Sequence, residues 1–309
     1  MNHAQNSADD SKSDMDKKID SFNQVMRNHT DDLNSLKNKD LDRIRTDAGS
    51  GTDSVPSGAP MVRVPGGNYG GTARSSPRIE LKPFGICRYE VTWGHFQEVR
   101  KWAAQKGYTD LANVGSGRGP MHPVSHVNWY DAVKWCNALS EIAGKEPAYT
   151  VDGKVYRVGE SDKVSVQRGA GYRLPTEDEW CAAFGGGLPK ENTIFSGSNV
   201  DTEVAWFKDN SGGGTQPVGQ KKPNKLGIHD MSGNVQEWTE EQDVTYVTVV
   251  PIANIQRHAR GGGWFSSGGE WVGYPYTRKG ELTASDPETA RMPKTRSEQI
   301  GFRYVITEK

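Results

Sequence analysis

The segment around residue 230 carries the residue types that bind a hard cation. Asp230, Gly233, Asn234 and Glu237 place side-chain oxygens and a turn-forming glycine in one short loop. Calcium takes oxygen ligands, carboxylates above all, and a glycine permits the tight turn that brings them together. The alternative is that Asp230 and Glu237 only hydrogen-bond the backbone of their own turn. We therefore expect a structural calcium site here, with the simple turn as its competitor.

The cysteines do not form a recognisable metal or disulfide pattern. Cys87, Cys136 and Cys181 are an odd number without a CxxC pair, and each lies beside an apolar or aromatic residue. A secreted disulfide framework favours an even number at close spacing. Cysteine outside disulfides is among the most buried residue types. We expect three buried reduced thiols.

Other catalytic patterns are weak. His122 and His126 have a spacing that binds metals on helices. Pro123 lies between them in an apparent loop, so we expect two ordinary histidines. No GxSxG sequence indicates a nucleophile elbow. The glycine runs at 185–187 and 212–214 lack the Lys-Ser/Thr that follows a phosphate-binding loop.

Short helices and strands must position these residues. Thr92 is a helix N-cap candidate, with Phe96, Val99 and Trp102 facing inward. Asn128 or Trp129 begins a second helix with a wide apolar face. The remaining predictions are a helix capped by Thr176, a strand and turn at 61–68, an edge-like strand region at 79–91, and a hairpin at Asp152-Gly153.

Composition favours one loop-rich domain. The chain has 309 residues, 34% of them hydrophobic, with 36 glycines and nine tryptophans, which is typical of loops held by aromatic packing. The net charge of −1 argues against a nucleic-acid surface, because phosphate binding needs a basic patch. No run approaches the ~20 apolar residues of a membrane helix. We expect the domain at residues 59–309.

Residues 1–58 differ from the rest and are expected to be a polar tail. Apolar residues alternate by three and four positions over about three heptads, with His29 at the remaining seam position, which is the lower limit for a coiled coil. These are Met15, Ile19, Phe22, Met26, Leu33 and Leu36. The alternatives are a solvated, partly helical tail and a self-associating stalk. Residues 49–58 are a flexible linker by composition.

Four motifs in order resemble the formylglycine-generating-enzyme (sulfatase-modifying) family from about Met61 to Ile306. They are Pro123-Val124 with Val127-Asn-Trp-Tyr-Asp-Ala132, Tyr172-Arg-Leu-Pro-Thr-Glu-Asp-Glu-Trp180, the segment 224–238, and Arg260-Gly-Gly-Gly-Trp264 with Gly301-Phe-Arg303. The resemblance implies an α+β, C-type lectin fold of the formylglycine-generating-enzyme type, loop-rich with little regular secondary structure.

The same resemblance bears on metals. It implies a calcium site made by the side chains of Asp230 and Glu237 and the carbonyls of Gly233 and Val235. A second calcium site of the family falls at 205–210, where Trp206 replaces the usual asparagine and puts the site in doubt. The two copper-binding cysteines of the active oxidases match Ser266 and Trp271. Gly263 also replaces a serine of the catalytic pocket. We therefore expect no copper and no oxidase activity.

The C-terminal segment resembles the variable proteins of diversity-generating retroelements, which rewrite a stretch between such motifs. Some are bacterial surface lipoproteins, including a treponemal protein. This implies a non-enzymatic, surface-displayed binder with variable segment 260–303, an N-terminal lipid anchor as the only membrane contact, and a macromolecular ligand, preferably protein. The expected ligand-binding residues are Phe265, Ser266, Ser267, Trp271, Tyr274, Tyr276, Arg278, Glu298 and Gln299. Trp264 and Phe302 should complete the core. The alternative is an enzyme of this fold with non-copper chemistry.

Overall fold

The computed structural model describes residues 59–70, 78–246, 253–267, 290–291 and 293–308; for 242–246, 253–256 and 290–291 it describes the backbone alone. Contacts between Cα atoms divide the chain into two units, residues 1–57 and 58–309. The predicted tail and linker lie outside the described residues. Within the described ranges, no helix is both long and apolar enough to cross a membrane.

The two ends of the larger unit meet in a three-stranded sheet. Strand β1 (Met61–Val64) and strand β12 (Val305–Thr307) both pair antiparallel with β4 (Phe84–Cys87), which lies between them. Strand β2 (Gly67–Gly70) pairs instead with β3 (Arg78–Leu81). The strand region predicted at 79–91 therefore contains two strands, and its edge-like position was wrong for β4, which is the central strand of its sheet. Pro83 has no N–H to donate and separates β3 from the central strand β4.

Three capped helices pack around this sheet. Thr92 caps α1 (Trp93–Ala104), where it accepts a bond from the backbone N–H of His95. Asn128 caps α2 (Trp129–Ile142) and Thr176 caps α3 (Glu177–Phe184), each with a complete capping box. These predictions are confirmed. In α1, Ala103 is buried and Trp102 is only half-buried, because Ala103 continues the helical repeat of Phe96 and Val99.

A four-stranded sheet brings the two ends of the segment 260–303 together. Strand β8 (Gln236–Tyr246) pairs antiparallel with β9 (Ala253–Arg260), with Glu237 opposite Arg260. Strand β11 (Ile300–Gly301) pairs parallel with β8 on its other side, with Gly301 opposite Glu237. Residue 237 therefore lies between both ends of the segment. The other elements are β5 (Tyr149–Val151), β6 (Lys154–Val155), β7 (Ser165–Val166), α4 (Asp201–Val204), β10 (Ala290–Arg291) and a 3-10 turn at Thr109–Asn113. Strands β5 and β6 form the predicted hairpin.

The main core is aromatic. Trp135 packs edge-on against Phe302 with ring centroids 5.3 Å apart, and it stacks on Phe96 at 6.0 Å. Tyr304 completes this group, and all four side chains are fully buried. Burying one such side chain contributes about 1.5–3 kcal/mol relative to leaving it in water. The expected core position of Phe302 is confirmed, and this packing fixes the end of the segment 260–303.

Candidate functional site

A buried arginine holds the C-terminal end of the segment. Arg303 donates from Nε and Nη2 to the two carboxylate oxygens of Glu237, each at 2.6 Å, and both side chains are buried. It also donates to the carbonyls of Cys87 and His229 at 3.2 and 3.0 Å. The indole N–H of Trp180 gives Glu237 a third donor at 2.8 Å. This two-point guanidinium–carboxylate pair fixes orientation as well as distance.

A second buried arginine holds the N-terminal end. Arg260 forms an ion pair with Glu177, and His258 Nδ1 lies 3.0 Å from the same carboxylate oxygen. Glu177 is the first residue of α3, where a negative charge is stabilised by the helix dipole. The backbone N–H of Glu177 donates to Glu241 at 2.7 Å. Both ends of the segment are therefore joined to the scaffold by buried ion pairs.

Between these ends, the described loop 261–267 is attached through backbone atoms. The Gly261 carbonyl accepts from the N–H of Gly233 at 2.8 Å, and the Trp264 N–H donates to the Asn234 carbonyl at 2.7 Å. The Trp264 carbonyl accepts from the Ser211 hydroxyl at 3.1 Å. The Ser266 carbonyl accepts from the Lys208 N–H at 3.0 Å. None of these four bonds uses a side chain of the segment itself.

Residues 297–299 are attached in the same way. The Ser297 carbonyl accepts from the N–H of His126 at 2.8 Å, and the Gln299 carbonyl accepts from the N–H of Gln236 at 2.9 Å. The Glu298 carbonyl accepts from the indole N–H of Trp264 at 3.3 Å. That last bond joins the two described parts of the segment to one another. Together, loop 261–267 and residues 297–299 form what we call the recognition surface.

The predicted contact residues differ in their exposure. Ser267 and Glu298 are exposed, and Phe265 and Gln299 are half-buried. Ser266 is buried, and its hydroxyl accepts from the Gly263 N–H at 3.1 Å. This hydroxyl closes the loop, and the prediction of Ser266 as a ligand contact stays a prediction. Trp271, Tyr274, Tyr276 and Arg278 lie outside the described residues.

Two further residues of the loop have roles that the sequence did not show. Trp264, expected in the core, is half-buried and packs edge-on against Phe265 at 6.0 Å. A methyl group added at Gly263 would lie 2.5 Å from the Phe265 ring. The ring therefore occupies the space beside Gly263 where a longer side chain would project. This explains the need for glycine at position 263.

The predicted calcium loop is a strained turn with a surplus of buried carboxylates. Asp230, Gly233 and Asn234 all have positive φ, at 57°, 82° and 60°. Asp230 accepts from the Gly219 N–H at 2.7 Å through one oxygen, and its other oxygen has no partner within the described part of the chain. Arg303 donates a hydrogen bond to each oxygen of Glu237, and Trp180 donates to one of them as well.

Glu90 belongs to the same cluster, although no motif indicated it. It is buried and accepts from the side-chain amide of Asn234 at 2.7 Å and from the Val235 N–H at 3.0 Å. Burial raises the pKa of Asp230 to about 6. Burial, and then the charge of Asp230, hold the pKa of Glu90 well above its usual range.

The charge of this cluster fits a cation better than its geometry does. When all three carboxylates are ionised against one guanidinium, a divalent ion balances the remaining charge; the raised pKa of Glu90 shows that a proton can replace part of it. Yet within the described ranges no group of three or more His, Cys, Asp or Glu side chains is arranged to hold a metal. An ion at Asp230 would therefore depend on the carbonyls of Gly233 and Val235. At the second family position, Asn210 bonds both the Phe207 N–H and the Ala205 carbonyl, so that loop is closed by its own side chain.

The remaining candidate residues have ordinary partners. His122 Nδ1 lies 3.1 Å from the Thr215 hydroxyl, and His126 Nδ1 lies 2.8 Å from the Ser116 hydroxyl. The two histidines therefore serve different loops. The three cysteines are buried and form no disulfide, as predicted. Burial raises the pKa of Cys87 to about 11, which disfavours a thiolate that would bind metal.

The chain is similar to known proteins over most of its length. The sequence profile described as "Sulfatase-modifying factor enzyme 1-like domain" matches residues 47–308. The "Chaperone protein LppX" of Paenibacillus barcinonensis is 38% identical over 237 residues, which cover 67% of this chain and 79% of that protein. The "Inactive C-alpha-formylglycine-generating enzyme 2" of Mus musculus is 26% identical, with coverage of 79% and 84%. The solved structure of "Treponema denticola variable protein 1" gives a TM-score of 0.61 at 27% identity, with coverage of 80% and 95%.

These similarities confirm the predicted fold. The α+β arrangement of short helices, several small sheets and long connections is the C-type lectin fold of the formylglycine-generating-enzyme type. The relatives include proteins named as a chaperone, as an inactive member and as a variable protein. The same scaffold therefore has members that are not named as enzymes.

Proposed function

The chain belongs to the family of sulfatase-modifying factor enzyme 1-like domains, and we propose that it is a non-enzymatic, surface-displayed ligand-binding protein. In this proposal the segment 260–303 is a diversified recognition site on a rigid lectin-type scaffold. One observation carries the proposal. The described parts of the segment are attached to the scaffold through their backbone and through two buried arginines, while Ser267 and Glu298 project into solvent.

This arrangement tolerates changes of side chain. A surface substitution away from special contacts usually changes stability by no more than about 0.5 kcal/mol. The backbone bonds at 264, 266, 297 and 299 do not depend on which side chain is present. A loop already fixed before binding also loses less entropy when a ligand arrives. The scaffold thus suits a surface whose sequence changes while its shape is kept.

The composition of the segment favours a protein ligand. Trp271, Tyr274 and Tyr276 stand among glycine, serine and proline. Aromatic side chains give a large contact area at low entropic cost, and small polar residues adapt to the partner. Arg278 and Glu298 add charges that set specificity. Since fold does not fix function, sugar binding does not follow from the lectin-type scaffold.

Copper chemistry has little support at the matching positions. Cu(I) prefers soft sulfur ligands, whereas Ser266 offers a hydroxyl that is buried and already bonded to Gly263. The other matching position is Trp271. The catalytic alternative would need another constellation. The pair Ser116–His126 is a candidate, but the described contacts place no carboxylate on the His126 ring to orient it.

We propose calcium as a structural ion at Asp230, with the Gly233 and Val235 carbonyls and Glu237 as the expected ligands. The partnerless oxygen of Asp230 and the surplus of buried negative charge support it. Thermal unfolding with 1 mM calcium and with EDTA tests this. A ligand at a hundred times its Kd stabilises a protein by about 2.7 kcal/mol. Asp230→Asn should abolish the response. Equal melting temperatures in calcium and EDTA would exclude the ion.

Surface display through an N-terminal lipid anchor is supported by the variable-protein neighbour and the LppX relative. Metabolic labelling with a radioactive fatty acid, followed by protease treatment of intact cells, measures both features. We expect a labelled protein that external protease removes. An unlabelled protein, protected until the cells are lysed, would contradict display.

Diversification is tested in the DNA beside the gene. We expect a near-copy of the codons for residues 260–303 that differs mainly at adenines, next to a reverse transcriptase. At the protein level, Ser267→Arg with Glu298→Lys should change the melting temperature by less than about 4 °C, because both side chains are exposed. A genome without the repeat would end the diversification proposal and leave the fold assignment intact.

A further inference from the structure

A fixed loop of the scaffold borders the recognition surface. The backbone N–H groups of Ser116 and Ser125 each donate to the carbonyl of the other at 2.8 Å, which closes the loop 116–126 at its base. Next to this base, the N–H of His126 donates to the Ser297 carbonyl. His126 is exposed and has a positive φ of 56°, so the backbone is held there in an unfavourable conformation.

The tip of the same loop reaches the other part of the surface. Arg118 donates from Nη2 to the Gly213 carbonyl at 2.9 Å, and His122 contacts Thr215. The loop 211–216 that receives them also supports Trp264, through the Ser211 hydroxyl. The loop 116–126 therefore contacts residue 297 at one end and the neighbours of residue 264 at the other.

The glycines at 212–214 give Arg118 a flat platform. A methyl group added at Gly214 would overlap the guanidinium of Arg118, so that group lies directly against the Gly214 backbone. Gly212 and Gly213 have positive φ, whereas Gly214 is not in the left-handed region. The glycine run at 212–214 does not fit a phosphate-binding loop, but it has a structural role. Because Gly214 has no side chain, the Arg118 guanidinium can occupy that space.

The positive charge of Arg118 is held in place by the Gly213 carbonyl but is not paired with a carboxylate among the described residues. Its side chain is exposed, and no ion pair to it occurs among the residues that the structure describes. Burial lowers the pKa of His122, the Thr215 contact opposes this shift, and the charge of Arg118 lowers the pKa further. The lowered pKa favours the neutral form of His122 at pH 7, and Arg118 supplies a positive charge beside it.

We propose that Arg118 is a constant anion-binding residue at the rim of the recognition surface, and that the ligand presents an aspartate or glutamate carboxylate to it. This rests on the proposed function. One guanidinium matches one carboxylate in charge and in its two-point geometry. A phosphate carries about 1.5–2 negative charges and calls for further cationic donors. An acidic protein segment is therefore the preferred partner over a phosphorylated one.

The contribution to affinity follows from this geometry. A hydrogen bond to a charged group corresponds to about tenfold to a hundredfold in affinity. Because the Gly213 carbonyl and the Gly214 backbone already hold the side chain, little of that gain is lost in ordering it. The variable side chains would then adjust specificity around one fixed electrostatic contact.

The experiment uses the full chain and a random peptide library displayed on phage. Peptides selected on the wild type should contain an acidic residue whose change to Asn or Gln weakens binding about tenfold or more. Arg118→Ala should weaken the acidic peptide equally and should not weaken its neutral version. Gly214→Ala keeps the charge but blocks the platform, so a loss is expected there too. Arg63→Ala removes an exposed arginine of β1 and should change nothing.

The possible failures can be told apart. Acidic peptides that bind Arg118→Ala as well as the wild type would overturn the proposal. The proposed function would still stand if Ser267→Arg abolished their binding. If neither Ser267→Arg nor Glu298→Lys affected any selected peptide, the recognition surface itself would be wrong. A phosphopeptide that bound more tightly than its glutamate analogue, in an Arg118-dependent manner, would overturn the carboxylate assignment. Circular dichroism and melting curves confirm that each variant is folded.

Discussion

Replacing Arg303 with methionine should destabilise the whole domain. Methionine has a similar length but no charge, so Glu237 would keep only the Trp180 N–H as a donor. Both partners are buried, at 0% and 1% side-chain exposure. Removing one partner of a buried ion pair costs about 3–5 kcal/mol, because the remaining charge is left without compensation. The Cys87 and His229 carbonyls would also lose their donor.

The expected loss is large relative to the total. Folded domains are stable by about 5–15 kcal/mol in all. For a domain of roughly 150–250 residues, each kcal/mol lowers the melting temperature by about 2–4 °C. We therefore expect Arg303→Met to melt about 6–20 °C below the wild type. Arg63→Met is the matched control. Its ion pair with Glu308 is exposed, and such pairs contribute about 0–1 kcal/mol.

The decisive measurement is the double variant. Arg303→Met combined with Glu237→Gln removes both charges of the pair and leaves Glu90 and Asp230 in place, and the glutamine oxygen still accepts from Trp180. Urea unfolding at pH 7.5 should show that the double variant is more stable than the sum of the single losses predicts. We expect a coupling of about 1–3 kcal/mol. Additive losses, or a single-variant loss below about 1 kcal/mol, would refute the ion pair as the anchor of the segment. Repeating the series in calcium shows whether Glu237 also serves an ion.

Three further experiments test the buried groups of the domain. Burial and the nearby Glu240 charge raise the pKa of Glu241 to about 8. Because the folded protein holds this proton more tightly than the unfolded chain does, the stability falls as the pH rises from about 4.5 to about 8. Melting curves should therefore show that Glu241→Gln is more stable than the wild type at pH 8.5 and has the same stability at pH 4.5. Asn234→Asp would place a carboxylate against Glu90 and should lower the free energy of unfolding in urea by at least about 3 kcal/mol. Asn234→Gly is the control, because glycine keeps the positive φ at this position, and its loss should be much smaller. Cys87, with its raised pKa, should react with a thiol reagent only after denaturation, and rapid reaction in the native protein would contradict its burial.

Local signals in the sequence were sufficient for the helices and the fold. The caps at Thr92 and Thr176 were predicted, as was a helix start at Asn128 or Trp129, because each signal depends on residues close together in the chain. The ordered motifs also identified the family. The error at 79–91 arose where Pro83 divides two strands that then join different sheets. Strand partners are chosen by long-range packing, which short patterns do not encode.

The sequence predicted the turn of the candidate site but not the buried residues that pack against it. Gly233 and Asn234 lie in the expected turn, but Glu90 joins them from far away in the chain. The burial of the Ser266 hydroxyl was not predicted, because it depends on the closed loop. The sequence did not indicate Arg118, because Gly214, whose backbone its guanidinium contacts, is distant along the chain. Pairings of this kind become visible only in three dimensions.

The structure suggests why the residues at the ends of the segment are the recognisable ones. A segment whose exposed side chains vary cannot depend on those side chains to stay in place. Here the attachment comes from Arg260 and Arg303, whose partners Glu177 and Glu237 lie outside the segment, and from backbone bonds in between. A methyl group added at Gly263 would lie 2.5 Å from the Phe265 ring and 3.1 Å from the Asn234 carbonyl oxygen. Substitutions at the two ends should therefore affect folding first, whereas those at Ser267 and Glu298 should affect binding first.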